Sequence, residues 1–352
     1  MKEWELKGEE LKRADALHYG SIVVDMSLTT DFTQATPIIN GENALERARG
    51  IGGITAAHQT LGGLDNRTFR DALKCMNLLN RLISQNPDKV ILVTKSNDIE
   101  KAKAEGKMGL IMGFQGCEPI EDDWSNTLPV LYRMGARVMS LTYNERNLLG
   151  YGCTEPKDYG LTAYGAQVVR AMNQMGIIID LSHVGMQTSM DTIEMSEDPV
   201  LFTHSNVYAI SPHVRNLPDE VIKAVAAKGG VIGAVSWDTI TVRPGSKEGV
   251  LGDMLDHIDY IVNLVGVDHV GIGSDWNDCM RVMPILSDFE VRYAYMIQGE
   301  KKRCPGLDGY DEVHEIINVT RGLVARGYSD EDIKKVLGGN FMRVARKVWD
   351  KA

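Results

Sequence analysis

Short apolar runs return along this chain at intervals that leave room for a helix between them. No other feature constrains the fold as much. The runs are SIVVDMS (21–27), GITAAHQT (53–60), GLIMGFQG (109–116), ARVMSLTY (136–143), GIIIDLSH (176–183), PVLFTHS (199–205), GGVIGAVSW (229–237) and HVGIGSD (269–275). Most are continuous rather than alternating, which suits strands covered on both faces. The intervening segments carry helical spacing. In FRDALKCMNLLNRLI (69–83), Ala72, Cys75, Met76, Leu79 and Leu82 fall on one stripe. LPDEVIKAVAAKG (217–229) opens on Pro and acidic residues and closes on Gly, as helix ends prefer. Eight strands alternating with helices predict an α/β fold, a (β/α)8 TIM barrel with its core over about 21–275. A doubly wound open sheet is the alternative, but it would not need eight regular units. DEVHEIINVTRGLVARG and EDIKKVLGGNFMRVARKVW read as additional C-terminal helices, over about 308–352, packed on the barrel. No linker or repeat interrupts the pattern, so 1–352 reads as one domain.

Composition narrows the partners. A formal net charge of −10 argues against nucleic acid or an anionic membrane surface as the main partner and leaves a small molecule open. The first twenty residues are charged throughout, so no signal peptide is expected there. No apolar run approaches the roughly 20 residues that span a bilayer. The cysteines Cys75, Cys117, Cys153, Cys279 and Cys304 are scattered without CxxC spacing, which suits reduced thiols in a cytoplasmic protein.

Chemistry in a barrel sits at the C-terminal ends of the strands. The polar residues there are Asp25, Ser27, His58, Gln115, Tyr143, His183, His204 and Asp275. Three of the eight histidines fall on predicted strand ends. His183 and His204 end consecutive strands, and neighbouring strands lie about 4.8 Å apart, so the two imidazoles can share one divalent ion. Asp275 follows a strand with two glycines and can ligate a metal or carry a proton. Arg215, in the polar loop SPHVRNLPDE, can clamp a carboxylate. TYNERNLLGYG (142–152), with Tyr143 and Asn144, is a candidate substrate wall. The segment 278–308 is long for a barrel loop and reads as a lid or a subunit contact.

DLSHVG, THSNVYAISPHVRNLPDEVIKAVAAKGGVIG, HVGIGSDW and GYSDEDIKKVLGGNFMRV resemble the membrane dipeptidase family, peptidase family M19 of the amidohydrolase superfamily. LTYNERNLLGYGCTE resembles the corresponding loop of its bacterial members. The resemblance implies a barrel, usually dimeric, that hydrolyses dipeptides with two zinc ions and a bridging hydroxide. It matches His183 and His204 to the ligands of one zinc, Asp275 to the aspartate serving the other zinc and the leaving amine, and Arg215 to the carboxylate-binding arginine.

The first strand departs from the family. Ser27 and Thr29 stand where the family carries His-x-Asp, Gln115 stands for the bridging glutamate, and Tyr143 stands for a histidine that steadies the intermediate. Two dications held close together need anionic ligands to offset their repulsion. The expectation is therefore at most one divalent ion, zinc, held by His183, His204, Asp275 and the Gln115 carbonyl. Asp31, His58 and Glu118 are candidate replacement ligands. Three readings follow: a mononuclear metal hydrolase of a small amide carrying a carboxylate; a same-fold enzyme using His58, His183, His204 and Asp275 as acid–base groups; or a non-catalytic binder. A homodimer is expected on the resemblance.

Overall fold

The computed structural model describes residues 2–29, 41–61, 68–246, 248–276 and 306–351. Among the described residues, nine parallel strands form the sheet: β1 (Val24–Leu28), β2 (Ala56–Thr60), β3 (Val90–Leu92), β4 (Met108–Phe114), β5 (Ala136–Ser140), β6 (Ile178–Asp180), β7 (Leu201–Phe202), β8 (Val231–Ala234) and β9 (Val270–Ile272). Eight of them close into a barrel, because β2 pairs directly with β4 and β9 pairs back to β1. The eight runs read from the sequence are these eight strands.

Two details differ from the reading of the sequence. The strands are shorter than the apolar runs, so several of the residues read as strand ends lie in the first residues of the following loops. An additional strand, β3, lies outside the ring. It lines the edge of β4 along Met108–Leu110, and β5 takes that edge over from Met112 onward. Its apolar run is too short to stand out beside the neighbouring helices.

The helices form where their ends are defined. Thr68 caps Phe69–Gln85 by accepting from Asp71 N, and Thr162 caps Ala163–Met175 by accepting from Gly165 N. Gly176 ends the second of these in the left-handed region. The last helix, Asn340–Trp349, does not lie on the outer ring. Its Phe341, Val344, Ala345 and Val348 share one core with Val24, Met26, Ile111, Val138, Ile178, Leu201 and Val231. These strand residues start or line the barrel interior, so the helix plugs the N-terminal end. The opposite end carries the polar loops. Among the described residues, no helix is long and apolar enough to cross a membrane.

Candidate active site

Among the described residues, the loops after β4, β5, β6, β7 and β9 bring side chains to the C-terminal mouth. The loop after β6 delivers His183, whose backbone is in the left-handed region (φ 70°). The preceding loop, after β5, holds it there: Cys153 N donates to the His183 carbonyl (2.7 Å), and Gly152 bridges to Val184. His204 lies two residues past the end of β7 and is fully buried. Beyond it, Asn206 and Asn216 knit the loop that carries Arg215. Asn216 Nδ2 donates to the Ser211 and Ile240 carbonyls (2.8 and 2.6 Å), and Asn206 Nδ2 donates to Thr241 Oγ1 (2.9 Å). Arg215 is thereby turned inward and is 2% exposed.

The imidazoles converge. His183 Nε2 and His204 Nε2 lie 2.9 Å apart. On the far side of each ring, Nδ1 meets an oxygen: Asn144 Oδ1 at 2.6 Å from His183, and Thr203 Oγ1 at 2.8 Å from His204. Tyr143 stacks on His183, with ring centroids 4.2 Å apart. Burial pushes both histidines well below their ordinary pKa, and the Arg215 guanidinium pushes in the same direction.

Arg215 Nη2 donates to the His204 carbonyl (3.1 Å) and Nη1 to Ser205 Oγ (3.4 Å), while its buried Nε has no hydrogen-bond partner among the described residues. Gln115 Nε2 lies 3.3 Å from Ser27 Oγ and 3.4 Å from His204 Nε2. Asp275, also in the left-handed region (φ 54°), is raised to about 7. Burial is the main cause. Arg215 opposes it, Asp25 and Asp180 add to it, and a hydrogen bond from Gln115 lowers it.

Several expected residues sit elsewhere than the sequence suggested. His58 does not end its strand: it pairs with Ile111, four residues before Gln115, and is fully buried. Its Nδ1 meets the Met26 carbonyl (2.8 Å), and its ring fills the space left by Gly113, where a Cβ would lie 2.1 Å from Nε2. Asn144, read as a substrate contact, is buried behind His183 (1% exposed). Thr29 Oγ1 donates to the Trp276 carbonyl (3.0 Å). Glu118 accepts from Asn147 Nδ2 (3.2 Å) and lines a cleft of about 500 Å³ with Glu121, Arg146 and Leu149. Asp31 and most of 278–308 lie outside the described residues.

The residues give a partial fit to a metal. Two imidazole nitrogens with anchored outer edges are a donor pair for one ion. Among the described residues, no three His, Cys, Asp or Glu side chains converge on a common metal position. A second ion is not matched. Ser27 offers a hydroxyl and Gln115 a neutral amide, and the two are hydrogen-bonded to each other.

A closed parallel barrel with a histidine-lined polar mouth at its C-terminal end defines a protein of the amidohydrolase architecture. Residues 12–298 match the model of the membrane dipeptidase family (peptidase family M19), and the chain belongs to that family. It is 30% identical over 287 residues to the dipeptidase tcpJ of Claviceps purpurea (strain 20.1), covering 81% of this chain and 61% of that protein. It is 28% identical over 286 residues to the dipeptidase aclJ of Aspergillus oryzae, covering 80% and 62%. The chain thus spans about three fifths of the length of these curated relatives. An amidohydrolase structure from Pseudomonas aeruginosa superposes with a TM-score of 0.84 at 32% identity, over 96% of this chain and 99% of that one. The probable dipeptidase PvdM of the same organism superposes at 0.82 with 23% identity, which speaks for the fold.

Proposed function

We propose that this chain is a divergent dipeptidase-like hydrolase. Its substrate is a small amide- or dipeptide-like molecule carrying a carboxylate, and it uses at most one divalent ion. One observation carries the reading: the buried Arg215 Nε, without a partner among the described residues, lies in the guanidinium that hydrogen-bonds the His204 backbone, beside the convergent imidazole pair. A carboxylate would complete the guanidinium and set the adjacent amide over the histidines. His183 and His204 would hold the ion, which when bound polarises a carbonyl and activates water. The Asp275 carboxylate takes the proton from the attacking water and delivers it to the leaving nitrogen. Tyr143 covers one face of His183. Zinc as the ion and a homodimeric assembly belong to the same proposal and rest on the family.

A second reading has its own support. The 2.9 Å contact between the two Nε2 atoms lets the pair satisfy itself with one proton, as a metal-free acid–base site would. Elemental analysis of the purified chain, together with hydrolysis of dipeptides and N-acyl amino acids, separates the two. One equivalent of metal with activity supports the first reading; none, with activity retained, supports the second. Two well-occupied ions would sink both. Asp275→Asn should lower kcat by roughly 10²- to 10⁴-fold. Near-normal turnover of that variant on the true substrate would remove the hydrolytic assignment. Cleavage of ordinary dipeptides at typical family efficiency would remove the claim of altered chemistry.

A further inference from the structure

Behind the imidazole pair lies a buried polar cluster that the proposed chemistry does not use. Asp180, at the end of β6, is fully buried, and its two oxygens accept from four donors. Oδ1 accepts from the backbone N–H groups of Ser182 (3.0 Å) and Thr203 (2.9 Å). Oδ2 accepts from Ser140 Oγ (2.6 Å) and Thr203 Oγ1 (2.9 Å). A hydroxyl has a single proton to give. With that proton committed to Asp180, Thr203 Oγ1 can only accept from His204, whose Nδ1 lies 2.8 Å away. Ser182 Oγ accepts the His204 backbone N–H (3.0 Å), which fixes the residue from its other side. On the second ring, Asn144 Oδ1 faces His183 Nδ1 at 2.6 Å, and Cys153 Sγ lies 3.6 Å from the same oxygen.

We infer that Thr203, backed by Asp180, and Asn144 are positioning residues that hold both imidazoles with the proton on Nδ1 and aim both Nε2 lone pairs at one point. Two lone pairs facing each other across 2.9 Å repel unless a cation or a proton stands between them. The anchors therefore build a seat that demands positive charge. They are unequal: His204 is backed by a carboxylate through one hydroxyl, His183 by a neutral amide. Hydrogen bonding of the outer nitrogen to an anion raises the basicity of the inner one, so His204 is the stronger donor of the pair. The inference rests on the reading of the pair as the reactive centre, and it adds the residues that set its protonation pattern.

The test uses the full-length chain and the variants Thr203→Val, which removes the hydroxyl at nearly constant shape, and Thr203→Ser, which restores it. The first readout is the tautomer of His204, taken from its ring ¹⁵N shifts in chelator-treated protein. The wild type and Thr203→Ser should carry the proton on Nδ1 to the same extent, and Thr203→Val should lose that preference. Identical tautomer populations in all three would overturn the inference whether or not a metal binds. The second readout is titration with Zn²⁺ alone. Thr203→Val should weaken binding about 10- to 100-fold, with recovery in Thr203→Ser. If the wild type shifts tautomer as expected but takes up no Zn²⁺, the inference stands and the metal reading falls. If Zn²⁺ binds equally tightly to wild type and Thr203→Val, the positioning role is refuted.

Discussion

Replacing Arg215 with Met separates a substrate clamp from a structural pin. The guanidinium already gives one N–H to the His204 carbonyl and one to Ser205 Oγ, while Nε–H has no partner among the described residues. A substrate carboxylate can take Nε–H and a free Nη–H side by side. Hydrogen bonds to charged groups contribute about 1.5–3 kcal/mol each, so two give about 3–6 kcal/mol. At about 1.4 kcal/mol per tenfold, Arg215→Met should cost roughly 10²- to 10⁴-fold in kcat/KM, mostly through KM. Stability should change little. The variant loses two modest hydrogen bonds of about 1 kcal/mol each, but it also removes a buried N–H whose missing partner costs about 1–3 kcal/mol. The assay pairs a carboxylate-bearing substrate with its amide-capped analogue, and urea denaturation runs alongside. The loss should appear with the carboxylate and be small with the cap. A drop of equal size on both, with destabilisation beyond about 4 kcal/mol, would make Arg215 a structural pin and refute the clamp.

Two further outcomes follow from the same geometry. Asp275 is raised to about 7, so if it acts as the base, kcat/KM should fall as the pH drops through about 7, where the carboxylate takes up a proton. Arg215 holds that value down, so Arg215→Met should move the rise to higher pH; an unmoved limb would break the electrostatic link. Gly113→Ala should destabilise by about 3 kcal/mol in urea denaturation, because its Cβ would meet His58 Nε2 at 2.1 Å and the Val138 carbonyl at 2.3 Å. Adding His58→Ala should recover only part of that loss, since the backbone contact remains; full recovery would show the Val138 contact to be harmless.

The sequence by itself determined the barrel. Eight buried strands must read as continuous apolar runs, because both faces of each are covered, and the helices between them must carry a stripe. It also placed His183, His204, Gln115 and Asp275 at one end, since chemistry in a barrel gathers at the C-terminal ends of the strands, and Arg215 in a polar loop at that same end. Three things were left to the tertiary structure. β3 stayed hidden because its three residues are too few to show a period. The last helix showed its apolar stripe, but only the assembled barrel reveals an open end for that stripe to plug. In the site, the residues that aim the histidines are ordinary in sequence. Asp180, Thr203 and Ser140 come from three different strands or their ends, and Asn144 from a loop that folds back beneath His183. One signal was legible: Asp-x-Ser occurs within β1 and at the end of β6, and in both the carboxylate accepts from the N–H two residues on and from a backbone N–H just past a neighbouring strand, β9 for Asp25 and β7 for Asp180. A local bond of that kind is written in the spacing. The cross-strand partner is chosen by register, and register exists only once the sheet has closed.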